Sequence, residues 1–239
     1  MKNDMQASKN QIKGYQIKIG SIGHAAVSTR PDIAKAHSIL AQFNQNPSER
    51  HIELADHLVS YLYGSRKFCL SFDGSKKPWQ VFCDASYADH EDRKSSQGLL
   101  FKMFGGAIEW KATKQETVTK STTEAELLAL SVIGGHCYWW NRFFSSLDFK
   151  TGMIPTVMCD NLQACRLADG DSEVLPTKLR HVYVHQHWIR QEVKNGKMVV
   201  QWVPTTEQEA DGLTKLLTKQ KLDVFLMQLG ISLILDLRN

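Results

Sequence analysis

The chain has 239 residues, of which 42% are hydrophobic and 23% charged. That length and those proportions exclude a disordered chain, a collagen-like chain and a coiled-coil rod, and they allow a core that needs neither disulfides nor a structural metal. Twenty-nine Lys and Arg against 25 Asp and Glu leave a net charge of +4, an excess that suits a polyanionic partner without requiring one.

In chain order, residues 1–13 are polar and unpatterned and read as a flexible tail. No apolar segment follows the first charges, so no secretory leader is expected, and no apolar run approaches the about 20 residues that span a bilayer. From Thr29-Arg30-Pro31-Asp32 the apolar positions Ile33, Ala36, Ile39, Leu40 and Phe43 recur at helical steps until Asn46-Pro47. A second helix is predicted from Ser48 to Gly64, with Ile52, Ala55, Leu58, Val59 and Leu62 on one face. This hairpin leads into a strand at 68–72 and a turn at 73–78.

Beyond the turn, strands are predicted at 79–84, 98–104 and 107–111, the last two joined by Gly105-Gly106. A long helix over Thr123 to about Leu147, a strand at 156–160, helices at 162–168 and 182–194 and a strand at 198–203 follow, with a helical tail from near Thr206. The expected domains are a tail (1–13), a helical segment (14–74) and an α/β domain (75–239) with a mixed sheet flanked by helices. The five cysteines, Cys69, Cys83, Cys137, Cys159 and Cys165, form no Cys-x-x-Cys pair and have apolar neighbours. They read as reduced core residues of an intracellular, non-secreted protein.

Four acidic residues stand out by position. Asp84 and Asp160 each close a predicted strand, Glu126 lies in the first turns of the long helix, and Asp211 lies early in the last helix. Carboxylates at the carboxyl ends of neighbouring strands sit where open sheets place their sites. Several converging carboxylates need an opposing charge, and an all-oxygen set favours Mg²⁺ or Mn²⁺. Each also has a local reading: Asp84 as a turn residue, Asp160 as a helix cap, the glutamates as members of a capping box, and Asp211 as a helix amino-end charge. Helix geometry separates Glu126 from Glu124. The steps from Glu126 run Leu130, Ile133, Cys137, Trp140 and Phe144, an apolar stripe, whereas those from Glu124 run Leu128, Ser131, Gly135 and Tyr138. The stripe that packs on the sheet therefore carries Glu126 toward the strand ends. By the same stripe, Trp139-Trp140 is expected in the core.

Phe82-Cys83-Asp84-Ala85-Ser86-Tyr87-Ala88-Asp89 with Arg93-Lys94-Ser95-Ser96-Gln97-Gly98, Ser121-Thr122-Thr123-Glu124-Ala125-Glu126, Cys159-Asp160-Asn161, Thr177-Lys178-Leu179-Arg180-His181 with His187-Trp188-Ile189-Arg190, and Ala210-Asp211-Gly212-Leu213-Thr214-Lys215 occur in that order. Together they resemble the ribonuclease H domain of copia-type LTR retrotransposon polyproteins over about residues 79–230. The hairpin with Thr29-Arg30-Pro31-Asp32 and Asn46-Pro47 resembles the segment that joins reverse transcriptase to ribonuclease H in the same polyproteins, so the chain looks like a carboxyl-terminal piece of one. No Tyr-x-Asp-Asp occurs, and no polymerase activity is expected.

The resemblance implies a ribonuclease H-like mixed five-stranded sheet flanked by helices, preceded by a helical hairpin. It implies Asp84, Glu126, Asp160 and Asp211 as the catalytic, metal-binding carboxylates, at spacings of 42, 34 and 51 residues. The glutamate stands second, the ribonuclease order rather than the integrase order. Two Mg²⁺ ions, or Mn²⁺ in their place, would then act about 4 Å apart, one activating water and one stabilising the leaving 3′ oxygen. The implied substrate is the RNA strand of an RNA–DNA hybrid, told from duplex DNA by its 2′-hydroxyls.

Leu179-Arg180-His181-Val182-Tyr183 departs from the family's Lys-His-Ile-Asp, which leaves His181 as an auxiliary candidate only. His185 and His187 read as packing or surface residues, and no carboxylate or cysteine beside His181 and His185 completes a zinc site. Trp110, Lys111, Lys114 and Lys120 are candidates for a basic ridge along the nucleic-acid backbone, with a solvated face as the equal alternative. Expected partners are the hybrid and, through residues 31–64, the rest of a reverse transcriptase or a second copy, with no membrane. The alternative function is a catalytically silent nucleic-acid- or protein-binding module of retrotransposon origin.

Overall fold

The computed structural model describes residue 3 and residues 5–74, 79–149, 154–170 and 180–233, apart from the side chains of residues 180 and 181. The chain divides into two compact units, residues 1–71 with 216–239, and residues 72–215.

The first unit opens with helix α1 (Lys9–Ser28), where a flexible tail to residue 13 was expected. Its start is set by Ser8 and Gln11, which form a reciprocal capping box, each side chain bonding the other's backbone amide. Tyr15, Ile19, Ile22 and Ala26 lie on its buried face and pack with Ile33, Leu40, Ala55 and Leu58. After a single 3-10 turn, α2 (Ala34–Ala41) and α3 (Glu49–Gly64) form the predicted hairpin, and Ser48 caps α3 by accepting from the His51 amide at 3.3 Å. The apolar face predicted for the hairpin is thus covered by α1, and Val59, expected on that face, is exposed. β1 (Phe68–Leu70) ends this part of the chain.

The second unit holds a five-stranded sheet. β2 (Gln80–Ser86), β3 (Ser96–Met103) and β4 (Gly106–Lys114) form an antiparallel meander. Phe104 and Gly105, both at positive φ, make the tight turn between β3 and β4. Helix α4 (Thr122–Ser146) crosses one face of the sheet to β5 (Thr156–Cys159), which pairs parallel to β2. Helices α5 (Leu162–Asp169) and α6 (Arg180–Lys194) lead to β6 (Val199–Trp202), parallel to β5. The strand order is β4-β3-β2-β5-β6 with β3 alone reversed, the ribonuclease H-like arrangement. The core between sheet and α4 contains Val81, Cys83, Leu99, Phe101, Leu127, Leu130, Ile133, Val157 and Cys159. The short helix α7 (Asp211–Thr214) closes the unit; α8 (Lys219–Leu229) and β7 (Ile231–Leu233) group with the first unit, where β7 pairs antiparallel to β1. β7 had been expected as part of a helical tail.

Gly98 sets how closely α7 approaches the sheet. It stands opposite Asp84 across the β2–β3 ladder. A Cβ there would lie 2.8 Å from Leu213 Cβ and 3.0 Å from both the Ala210 carbonyl and Thr214 Cγ2. Gly98→Ala is expected to push α7 outward and cost about 1–3 kcal/mol by overpacking, read as a lower urea midpoint. An unchanged midpoint would show that α7 can shift freely.

Candidate functional site

The chain leaves β2 toward β3 on one side and reaches β5 on the other, so the β2/β5 junction is the point where strand order reverses. Val81 pairs with Val157 and Phe82 with Met158. Continuing that parallel register places Cys83 beside Cys159 and Asp84 beside Asp160 at the carboxyl ends of both strands. Alternation along the strands sends the cysteines toward α4 and the aspartates toward the opposite face.

Glu126 reaches this junction from α4, as the apolar stripe predicts: Leu130, Ile133 and Cys137 are buried, with Trp140 and Phe144 packed against them. Its Oε1 accepts from the Ala85 amide at 3.2 Å, and its Oε2 lies 3.8 Å from the Cys159 thiol. Glu124 serves the helix end instead, its backbone amide bonded to Ser121 Oγ and its carboxylate accepting from the Lys120 amide at 2.6 Å. The cap of α5 is Asn161, which accepts from the Ala164 amide. Asp160 is therefore not spent on capping; its carboxylate accepts from Thr205 Oγ1 at 2.9 Å, and the Trp202 indole holds its carbonyl at 3.0 Å.

One carboxylate oxygen from each of Asp84, Glu126 and Asp160 lies within 4.8 Å of the other two. Asp84 is 2% and Glu126 4% exposed. Burial pushes the Glu126 carboxyl well above its ordinary range, and the nearby Asp84 and Asp160 push it further. Burial likewise raises Asp84, opposed by Lys215 and by the Thr214 hydroxyl that donates to it, and reinforced by Asp160 and Asp211. Lys215 supplies the positive charge beside this cluster: its ammonium lies 3.8 Å from Asp84 Oδ2 and pairs with Asp211 Oδ1. Burial works against the charged lysine, but the three aspartates outweigh it and its pKa is raised.

Asp211 stands apart from the three-carboxylate group and is connected to Asp84 through Lys215. His181 carries its side chain outside the described residues, as do residues 177–179 of its motif. His185 Nδ1 lies 2.7 Å from Ser131 Oγ, and the ring of exposed His187 lies against Tyr183. The four candidates for a basic ridge do not share one surface. Lys111 bonds His136 on the α4 side, whereas Lys114 leaves β4 on the other side and pairs with Asp92 at 2.8 Å. Trp110 is half-buried and Lys120 exposed. Trp140 packs on the core and donates to Glu109, but Trp139, expected with it, is 55% exposed, one position off the stripe.

Sequence reasoning missed Thr205, Thr214 and Lys215 as partners of the carboxylates, and Trp202 beside Asp160. Their signal was positional: Thr214 and Lys215 stand three and four residues after Asp211, on the same face of one helical turn. An all-oxygen donor set in which Asp84 and Glu126 are buried, both raised first by burial and then by neighbouring carboxylates, fits a hard divalent cation such as Mg²⁺ or Mn²⁺.

A ribonuclease H-like sheet with a carboxylate cluster at its switch point defines the class of this domain. No family model matches the chain. It is 37% identical over 211 residues to the retrovirus-related Pol polyprotein from transposon TNT 1-94 of Nicotiana tabacum, covering 88% of this chain and 16% of the polyprotein. It is 29% identical over 220 residues to the corresponding polyprotein from transposon RE1 of Arabidopsis thaliana, covering 91% of this chain and 15% of that one. Among solved structures it is similar to an RNase H1 isolated from compost, at 16% identity and a TM-score of 0.44, over 62% of this chain and 98% of the other. The chain belongs to the retrovirus-related Pol polyproteins of copia-type transposons and corresponds to a piece of one, with a retrotransposon ribonuclease H-like domain. It spans about one sixth of the length of these relatives. Among the described residues no helix is long and apolar enough to cross a membrane.

Proposed function

We propose that this chain is a metal-dependent endoribonuclease that cuts the RNA strand of RNA–DNA hybrids. The convergence of Asp84, Glu126 and Asp160 within 4.8 Å at the switch point carries this reading. Asp84, Glu126 and Asp160 would hold Mg²⁺, with Mn²⁺ as a substitute, and Asp211 would join them more loosely. A bound divalent cation supplies Lewis acidity, lowering the pKa of water and offsetting charge on the scissile phosphate. The chain's own part is positioning. The Ala85 amide fixes Glu126, Thr205 and Trp202 fix Asp160, and Thr214 fixes Asp84. The Lys215 ammonium tempers the carboxylate repulsion and stands ready to meet a phosphate. His181 remains an auxiliary candidate. The hybrid is proposed to arise within the cell, and the remaining parts of a Pol polyprotein are the proposed partners.

Cleavage of labelled RNA–DNA hybrid, RNA duplex and DNA duplex of one sequence tests the reading. Metal-dependent cutting of the hybrid's RNA strand alone is expected, because recognition needs 2′-hydroxyls on one strand. A folded protein that binds the hybrid tightly without cutting it would favour the silent binding module. Lys215→Met provides a separate check. Lys215 is half exposed, so its loss is expected to cost at most about 1 kcal/mol in metal-free protein. Excess Mg²⁺ should erase that cost, read as the difference between melting curves in EDTA and in Mg²⁺. An equal loss in both media would make Lys215 a purely structural residue.

A further inference from the structure

Directly beneath the carboxylates lies a second donor set. Cys83 Sγ, Cys159 Sγ and a Glu126 oxygen all lie within 4.8 Å of one another, and all three residues are buried. Both cysteines are free thiols at 0% exposure. Their juxtaposition follows from the parallel register of β2 and β5, which places residues 83 and 159 side by side on the α4 face. Glu126 belongs both to this donor set and to the carboxylate trio.

Two thiols and one carboxylate are the wrong donors for Mg²⁺ and suitable ones for a soft or borderline ion. Zinc bonds of about 2.3 Å to sulfur and about 2.0–2.2 Å to oxygen at tetrahedral angles separate two sulfurs by about 3.8 Å and sulfur from oxygen by about 3.5 Å. The observed Cys159 Sγ to Glu126 Oε2 distance is 3.8 Å. The other two separations are within 4.8 Å, so the three donors need to close by at most about 1 Å to reach those spacings. Apolar packing explains why a cysteine is tolerated at either position; it does not explain two of them meeting under one buried carboxylate.

We propose that Cys83, Cys159 and Glu126 form a distinct site for a thiophilic divalent cation of the Zn²⁺ or Cd²⁺ class, and that this ion competes with the hard cation above it because both need Glu126. Binding replaces two S–H bonds by two metal–thiolate bonds and releases two protons to water, plus the Glu126 proton at any pH where that carboxyl is protonated, with no change in oxidation state. The competition rests on the carboxylate site proposed above; the thiolate binding does not.

The test is titration of the full metal-free chain with Cd²⁺, followed by the ultraviolet thiolate-to-cadmium charge-transfer band. One ion per chain is expected. Cys83→Ser or Cys159→Ser should weaken binding by more than the about 10–100-fold that outer-shell changes cost, while Cys137→Ser leaves it unchanged. Asp84→Asn keeps both thiols and is expected to keep the band, a control that needs no cysteine variant to fold. No band in the wild-type chain, or a band that survives in the folded Cys83→Ser/Cys159→Ser variant, overturns the site. In a second measurement, Mn²⁺ bound to the chain is followed by electron paramagnetic resonance. One equivalent of Zn²⁺ is expected to release more Mn²⁺ from the wild type than from the double variant, in which Zn²⁺ displaces Mn²⁺ only by direct competition at the carboxylates, and equal release from both overturns the competition. A chain that binds Cd²⁺ through its thiols yet binds no Mn²⁺ would remove the hard-cation reading and leave the thiol site standing.

Discussion

Asp84→Asn is expected to lower hybrid cleavage by about 10³-fold or more, equivalent to about 4 kcal/mol of barrier, with folding intact. Asn has the size of Asp, and its carbonyl oxygen can still accept from the Thr214 hydroxyl that now bonds Asp84. β2 keeps its ladders to β3 and β5. What disappears is the negative charge at the centre of the candidate site, on the residue that faces both Asp160 across the strand ends and Lys215 just after α7. Circular dichroism should match the wild type while product formation vanishes. Cleavage within a few-fold of wild type would mean that Asp84 is a turn residue after all.

The second large effect is on stability, and its sign is opposite. Burial raises the carboxyl groups of Glu126 and Asp84 above their unfolded values, so between the unfolded and folded pKa values the native state binds more protons than the unfolded chain. Stability without metal is therefore highest at low pH with respect to these groups. It falls as pH rises from the unfolded carboxylate range, about 4, through the raised folded values, and the penalty then stays constant. Glu126→Gln removes the group that carries much of it. In EDTA at neutral pH the variant is expected to be more stable by at least about 1 kcal/mol, about 2–4 °C in Tm for a chain of this size. The advantage should shrink toward pH 4 and reverse in Mg²⁺, which binds only the native carboxylates of the wild type. Melting curves across pH, with and without Mg²⁺, check this. A Glu126→Gln chain less stable than wild type in EDTA at every pH would place Glu126 among ordinary structural residues.

Much of the candidate site's placement was legible because it depends on local periodicity. The four-three stripe from Glu126 to Phe144 is a property of one helix, and it turned Glu126 toward the strand ends and Glu124 away from them. Asp84 and Asp160 were found because short apolar runs ending in an acid mark strand ends. What stayed hidden depends on pairing across the sequence. That Cys83 and Cys159 would meet requires the β2–β5 register, which no local pattern carries. β7 escaped because three residues, Ile231–Leu233, acquire strand character only through pairing with β1. Helix α1 is a different case: Tyr15, Ile19, Ile22 and Ala26 repeat at helical spacing, but the intervening Lys, Gln and Gly residues dilute the stripe. Lys111 and Lys114 looked like one ridge because they are close in sequence; on a strand, an odd separation sends them to opposite faces.

Metal-dependent hydrolysis is decided by cleavage of an RNA–DNA hybrid labelled on the RNA strand, with Mg²⁺ and with EDTA, by the wild-type chain and Asp84→Asn in parallel. RNA is expected to be cut only by the wild type and only with Mg²⁺, leaving 5′-phosphate and 3′-hydroxyl ends. Cutting that persists in EDTA, or in Asp84→Asn with Mg²⁺, would contradict it.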